Sequence, residues 1–271
     1  MTHSRPTVRE LLTSRGLAPR RDLGQNFVAD PNTVRRIAHL AGVGPDDHVL
    51  EIGAGLGSLT LALAETGAAV TAVEVDRGLV AALREVVADV PGVRVVEADA
   101  MSADWDELLG GHPEWVLVAN LPYNVATPLV CDLLDDVPAI RRMLVLVQKE
   151  VAERLAAPAG SPAYGAVSVK VAYWATARTV GDVPASVFMP RPKVESALVE
   201  ITRRTPPAVA PDALFPLVRT AFGQRRKMLR RSLADVVTAE QFVAADVPAT
   251  ARPEELALDD WVRLTTAVGG P

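Results

Sequence analysis

Cysteine, histidine and long apolar runs are what this sequence has least of. A single cysteine, Cys131, excludes an intramolecular disulfide. It lies in the apolar stretch 128–134 and reads as a small buried hydrophobe rather than a nucleophile. The four histidines, His3, His39, His48 and His112, are scattered with no cysteine or carboxylate at ligand spacing, so no metal is expected. No apolar stretch approaches the roughly 18 residues of a membrane span, and residues 1–10 lack the apolar segment of a secretory signal. The expectation is a soluble, cytoplasmic protein with no membrane partner. Internal repeats and low-complexity tracts are also missing. With 271 residues, 49% of them hydrophobic, the chain can bury a full core as one large domain or one large plus one small.

The net charge of −5 argues against a nucleic-acid partner, but the distribution argues for one. From Arg219 to Arg231 there are six basic residues and no acid, and Arg15, Arg20 and Arg21 cluster near the start. Phosphate is bound by local patches, not by net charge. A lone basic run is more often a solvated helix face. Here, however, the cations alternate with Leu217, Val218, Ala221, Phe222, Met228, Leu229 and Leu233. One face can therefore pack while Arg225, Arg226, Lys227, Arg230 and Arg231 point at a polyanion.

Short apolar runs alternate with segments of helical periodicity. Residues 47–52, 69–74, 93–97, 115–119 and 143–148 read as strands, and 58–66 and 79–90 as helices between them. Such alternation predicts an α/β fold, a parallel sheet with helices on both faces. A helix over 149–156 leads into a Pro/Gly-rich loop at 158–162, and 167–176 and 196–202 read as two longer strands of an antiparallel edge. Thr205-Pro206-Pro207 with Pro211 looks like a linker, followed only by helical periodicity. The expected domains are 1–204 and a small all-helical 205–271.

Glu51-Ile-Gly-Ala-Gly-Leu-Gly-Ser58 occupies the first strand-to-helix junction, where glycines allow a tight turn and close approach of a ligand. A nicotinamide dinucleotide site is the common alternative, but its fingerprint wants a third glycine where Ser58 stands. S-adenosylmethionine has no phosphate, and its sites can dispense with that arrangement. Glu74 ends the second strand and can accept from both ribose hydroxyls of either cofactor. Asp99 follows the third strand and can accept from an adenine amino group. Asn120 follows the fourth. Gly53, Gly55, Glu74, Asp99 and Asn120 thus all fall at carboxyl ends of strands, where open parallel sheets bind ligands. Each alone would be an ordinary turn or cap residue.

Asn120-Leu121-Pro122-Tyr123 suits chemistry on a flat amine. The Asn120 side-chain oxygen and the Leu121 carbonyl can accept the two N–H groups of an exocyclic amine. Pro122 biases Leu121 toward an extended conformation, and Tyr123 offers a ring for stacking. By itself the tetrapeptide reads more readily as an ordinary strand-to-loop turn with a buried Tyr, since Asn, Pro and Tyr are all common where strands end.

Taken together, the chain resembles the KsgA/RsmA family of S-adenosylmethionine-dependent ribosomal RNA adenine N6,N6-dimethyltransferases. The resemblance runs nearly end to end. It includes 23–28 (Leu-Gly-Gln-Asn-Phe-Val), the glycine motif, 119–124, 148–154, Tyr164-Gly, 188–196 (Phe-Met-Pro-Arg-Pro-Lys-Val-Glu-Ser) and 221–227. It implies a class I (Rossmann-like) methyltransferase domain, a small helical C-terminal domain, and cofactor contacts at Asn26, Val28, Gly53, Glu74, Asp99 and Asn120. It further implies that Phe188 stacks on the target adenine with Tyr123, although an aromatic there can also plug the core. The implied partner is small-subunit rRNA in an assembling 30S particle, met by a monomer. Ala54 and Val28 stand where proline and leucine are more usual in the family, and neither removes a functional group. Two other functions share these motifs: a macrolide-resistance type of methyltransferase acting on large-subunit rRNA, and a non-catalytic RNA-binding assembly factor.

Overall fold

The computed structural model describes residues 2–20 and 23–269. Arg21, one of the cations noted near the start, lies outside them. The chain forms two compact units. One takes the residues up to Ala152 together with Arg178–Thr202, the other Glu153–Ala177 together with the residues from Arg203 onward.

In the first unit, α1 (Arg5–Ser14), β1 (Phe27–Val28) and α2 (Pro31–Ala41) precede an alternating series. The series runs β2 (His48–Ile52), α3 (Ser58–Ala64), β3 (Ala69–Glu74), α4 (Arg77–Val86), β4 (Val93–Glu97), α5 (Trp105–Leu109), β5 (Trp115–Asn120), α6 (Ala126–Asp136), β6 (Ile140–Gln148) and α7 (Lys149–Leu155). After α8 (Ala166–Trp174) come β7 (Ala175–Val183), β8 (Phe188–Met189) and β9 (Ser196–Arg203). The seven-stranded sheet has the order β4-β3-β2-β5-β6-β9-β7. Strands β2 to β6 pair in parallel and β9 runs antiparallel to β6, as the alternation predicts. β1 and β8 form a separate antiparallel pair.

The central strands β2 and β5 are covered on both faces, which is why they read as continuous apolar runs rather than as alternation. Leu50, Leu117 and Val118 are wholly inaccessible. Helix starts are set by aspartates. The side chains of Asp30, Asp76 and Asp104 accept from the main-chain N–H groups of Thr33, Gly78 and Glu107, respectively, each cap being worth about 1 kcal/mol. Asp76 thereby starts α4 at Arg77, two residues before the expected start at Leu79. Cys131 is buried within α6. His48 and His112, far apart in sequence, stack with ring centroids 3.6 Å apart. No cluster of metal-ligating side chains occurs among the described residues, and none of the described helices is long and apolar enough to cross a membrane.

The second unit departs from the sequence expectation. Residues 167–176, expected as a strand, form α8 as far as Trp174. The stretch is apolar at nearly every position, so periodicity could not separate helix from strand. Helix is favoured locally by Ser168, whose hydroxyl accepts from the Gly165 N–H and donates to the Arg154 carbonyl. It is favoured globally because Val169 and Tyr173, one turn apart, enter one core with Leu214, Val218, Phe242 and Trp261. Residues 153–177 therefore group with the C-terminal helices, and the unit is not confined to 205–271. The basic run is not one helix either. α9 (Pro211–Phe222) ends before a turn, 223–228, and the short α10 (Leu229–Ser232) follows, with α11 (Ala239–Ala244) and α12 (Leu258–Gly269) completing the unit.

Candidate active site

Among the parallel strands, chain order and spatial order part at β2. The chain steps outward from β2 through β3 to β4, then returns to the other side of β2 as β5. At such a switch point the loops diverge and leave a crevice at the carboxyl ends of the strands. A cavity of about 220 Å³ lies there. Asn26, Val28, Gly53, Gly55, Glu74, Asp99, Asn120, Leu121, Pro122 and Tyr123 all line it.

The floor is main chain. Gly53, Gly55 and Gly57 have φ of 75°, 58° and 84°, the left-handed region that glycine enters without strain. At Gly55 a β-carbon would also come 3.0 Å from the Phe27 ring. The loop is held by Glu74, whose carboxylate accepts three main-chain N–H groups, from Gly55 at 2.8 Å and from Val75 and Asp76 at 3.0 Å. Burial raises the Glu74 pKa, while these three bonds oppose the rise. The residue expected only to meet a ribose thus first shapes the loop. Glu51, buried at the cavity wall, accepts from the Thr60 hydroxyl at 2.6 Å, and burial pushes its carboxyl up to about 8.

The acceptor side is assembled by side chains from distant parts of the sequence. The Asn120 amide nitrogen donates to the Asn26 carbonyl at 2.8 Å, across 94 residues. A carbonyl can only accept, so the amide must present its NH2 group there and turn Oδ1 the other way. The Pro122 carbonyl accepts from Val125 and Ala126 and starts α6. Gly24, at φ 64°, lets the N-terminal arm lie against this turn. A β-carbon there would meet the Asn124 side chain at 2.7 Å. The Tyr123 hydroxyl bonds the buried Ser196 hydroxyl at 2.6 Å, across 73 residues, which fixes the ring. Burial raises the Tyr123 pKa, so the phenol stays protonated.

Phe188 is not brought to the cavity. It is 0% exposed and packs with Val34, Ile37, Leu144 and Leu198. In the β1–β8 pair it stands opposite Val28, and its side chain turns into the core. The stacking expectation is corrected on this point: here Phe188 is a core plug. The aromatic that lines the cavity from this pair is Phe27. Two more residues escaped the sequence reading. Val75 and Met101 are 46% and 42% exposed, unusually high for large apolar side chains, and both line the cavity beside Glu74 and Asp99. Each directly follows, or lies two residues beyond, a strand-end carboxylate, a pattern that could have flagged them.

The basic residues Arg225, Arg226, Lys227, Arg230 and Arg231 lie in the second unit. Four are exposed, but Arg225 is occupied internally, its Nε bonding Glu254 at 3.3 Å and its Nη2 the Pro162 carbonyl at 3.1 Å.

The sequence profile described as "Ribosomal RNA adenine dimethylase" matches residues 16–267. The chain belongs to that family. It is 44% identical to the ribosomal RNA small subunit methyltransferase A of Bifidobacterium adolescentis, over 96% of this chain and 92% of the relative. It is 47% identical to the protein of the same name from Kineococcus radiotolerans, over 95% and 88%. Among solved structures, the 23S rRNA methyltransferase ErmE superposes with a TM-score of 0.71 at 27% identity, covering 90% of this chain and all of that one. A dimethyladenosine transferase from Plasmodium falciparum gives 0.74 at 24% identity over 87% and 94%, and it supports the fold.

The cofactor of this family is S-adenosylmethionine, and the cavity fits it. Among the described residues no lysine, arginine or histidine lines the wall, whereas Glu51, Glu74 and Asp99 do. A pyrophosphate would find no cation among them. The start of α3, where a dinucleotide would place its phosphates, is covered by the arm. The His3 main-chain N–H bonds the Ser58 hydroxyl at 3.1 Å, and His3 Nε2 bonds the Leu56 carbonyl at 2.9 Å. A sulfonium cofactor carries positive charge and needs neither feature.

Proposed function

We propose that this protein methylates N6 of two adjacent adenines near the 3′ end of small-subunit (16S) rRNA, giving N6,N6-dimethyladenine late in small-subunit assembly. The observation that carries the reading is the Asn120 amide. Its nitrogen is committed to the Asn26 carbonyl, which leaves its oxygen as an acceptor at the edge of a cavity that has no cation among its described lining residues.

Asn26, Val28, Gly53, Gly55, Glu74, Asp99 and Asn120 would hold S-adenosylmethionine, with Val75 and Met101 flanking its flat base. When bound, that cofactor supplies an electrophilic methyl group on sulfur. The protein's part is alignment. An amine held by Asn120 Oδ1 and the Leu121 carbonyl has its lone pair turned out of conjugation and toward the methyl donor. As the amine gains positive charge, both acceptors strengthen their bonds to it, so they stabilise the transition state more than the ground state. The product ammonium on an aromatic ring is strongly acidic and loses its proton to water without a dedicated base. Tyr123, braced by Ser196, stacks on the flipped adenine at a gain of roughly 1–3 kcal/mol. A second transfer requires that the site accept a base already carrying one methyl group.

The exposed Arg226, Lys227, Arg230 and Arg231 of the helical unit would contact rRNA phosphate in an assembling 30S particle, with the protein acting as a cytoplasmic monomer. Relatives named for the small subunit are 44% and 47% identical to this chain, against 27% for the large-subunit enzyme ErmE, which supports the small-subunit substrate. A purely structural RNA-binding role would not require the orientation of Asn120. The test is to supply labelled S-adenosylmethionine with unmethylated small subunits or with large-subunit RNA and map the modified adenines. Label at adjacent small-subunit adenines is expected, and label confined to large-subunit RNA overturns the assignment.

A further inference from the structure

The loop between β8 and β9, Pro190-Arg-Pro-Lys-Val-Glu195, carries two cations. Arg191 and Lys193 are exposed, and neither has an ion-pair or hydrogen-bonding partner among the described residues. Most other cations of the same unit, among them Arg5, Arg15 and Lys149, are bonded.

Both ends of the loop are tied to the cavity. On one side Met189 pairs with Phe27, which lines the cofactor end. On the other Ser196 bonds Tyr123, which lines the acceptor end. The last loop residue is pinned as well. The Glu195 carbonyl accepts from Lys149 N–H at 3.0 Å, and its carboxylate accepts from Ala185 N–H at 3.0 Å. That second bond turns the loop's one acid back toward the protein and leaves its two cations facing solvent. Pro190 and Pro192 fix φ on either side of Arg191, so holding the loop in place costs little further entropy on binding. Beside Lys193, Val194 is 46% exposed, an apolar surface next to the cations.

The geometry points to a phosphate-binding lip. A base that enters a pocket for chemistry is flipped out of its stack, and its own sugar and two flanking phosphates must stay at the mouth. Among the described residues the cavity wall has no cation to meet them. We propose that Arg191 and Lys193 bind the phosphates that flank the target adenine, with Val194 against the adjoining sugar. This role is distinct from that of the cations of the helical unit, and it rests on the reading of the cavity as an RNA adenine site.

The test is the variant Arg191→Gln/Lys193→Gln, at exposed positions where folding is not at stake. Binding to a small-subunit rRNA fragment containing the target adenines is measured across salt concentrations, alongside the affinity for S-adenosylmethionine alone. The expected result is a shallower salt dependence, by about 0.7–0.9 in the logarithmic slope for each phosphate that is no longer neutralised, with cofactor affinity unchanged. Replacing the two flanking phosphates by uncharged methylphosphonates should weaken binding to the native protein by the same factor and weaken binding to the variant no further. Arg191→Lys/Lys193→Arg should keep the native slope. An unchanged slope in the glutamine variant, or a methylphosphonate effect equal in both proteins, overturns the lip. Failure of the underlying reading is separable, because it shows as native protein that labels no adenine in this fragment, whatever the slopes.

Discussion

The two ends of the cavity are built in different ways. At the cofactor end the parts are neighbours in sequence or on adjacent strands. A glycine loop follows β2, and carboxylates end β3 and follow β4, with Glu74 holding Gly55 through main-chain bonds. At the acceptor end the parts come from far apart. Asn120 is oriented by Asn26 across 94 residues and Tyr123 by Ser196 across 73. The glycine loop and carboxylates of the cofactor end are therefore a property of the sheet's edge, to which the arm adds Asn26, Phe27 and Val28, whereas the orientation of Asn120 and Tyr123 depends wholly on the N-terminal arm and the β8–β9 region. Substitutions at the two ends should fail differently.

The largest effect is expected at Asn120. Asn120→Ala removes the acceptor and should lower methyl transfer by about 10²–10³-fold or more, the scale of losing one aligned transition-state hydrogen bond, while RNA binding is mostly kept. Asn120→Asp sharpens the comparison. It keeps an oxygen for the amine but sets a carboxylate against the Asn26 carbonyl, so the arm should loosen and cofactor affinity should fall as well. Single-turnover rates and calorimetric cofactor binding separate the two. Unchanged turnover in the alanine variant would end the proposed mechanism.

The contrast also explains what the sequence made legible. Gly53, Glu74, Asp99 and Asn120 were readable because parallel strands announce themselves as apolar runs, and the residue after each run falls at the ligand-binding edge. The partners of Asn120 and Tyr123 were not, because no local pattern links Asn26 to Asn120 or Ser196 to Tyr123. Phe188 was misplaced for a related reason. In a strand, side chains alternate faces, and only the packing of Phe188 among Val34, Ile37, Leu144 and Leu198 shows that it turns inward while Phe27 reaches the cavity. At α8, tertiary packing of Val169 and Tyr173 overrode a stretch of β-branched residues that reads equally as a strand.

Next in size is an effect at the cofactor end. Glu51 has its carboxyl pushed from 4.5 up to about 8 by burial. The folded protein therefore holds a proton that the unfolded chain has released, and this group's contribution to stability falls as pH rises from about 4.5 through about 8. Glu51→Gln removes the titration and keeps an acceptor for the Thr60 hydroxyl. Its stability relative to the native protein should be near parity around pH 5 and rise to an advantage on the order of a few kcal/mol above pH 8. Denaturant melts at pH 5, 7 and 9 check this. A difference independent of pH would mean that Glu51 does not titrate in that range.

At the acceptor end a smaller, shared effect is expected. Ser196→Ala and Tyr123→Phe each remove one side of the same hydroxyl pair, worth about 1 kcal/mol. Each should raise KM for RNA by roughly five-fold while leaving cofactor affinity alone, and the double variant should be no worse than either single one. Additive losses would show that Ser196 does not act through Tyr123.

The smallest effects distinguish cations that look alike in sequence. Arg225 is engaged by Glu254 and the Pro162 carbonyl, so Arg225→Gln should cost about 1 kcal/mol of stability and leave the salt dependence of RNA binding as it was. Arg226, Lys227, Arg230 and Arg231 are exposed, and neutralising any that meets phosphate should lower the logarithmic salt slope by about 0.7–0.9 without changing the melting temperature. Slopes measured for the five single variants rank the residues directly. A slope change at Arg225 as large as at its neighbours would mean that its internal bonds give way to RNA, and a flat series would mean that this segment does not touch the substrate backbone.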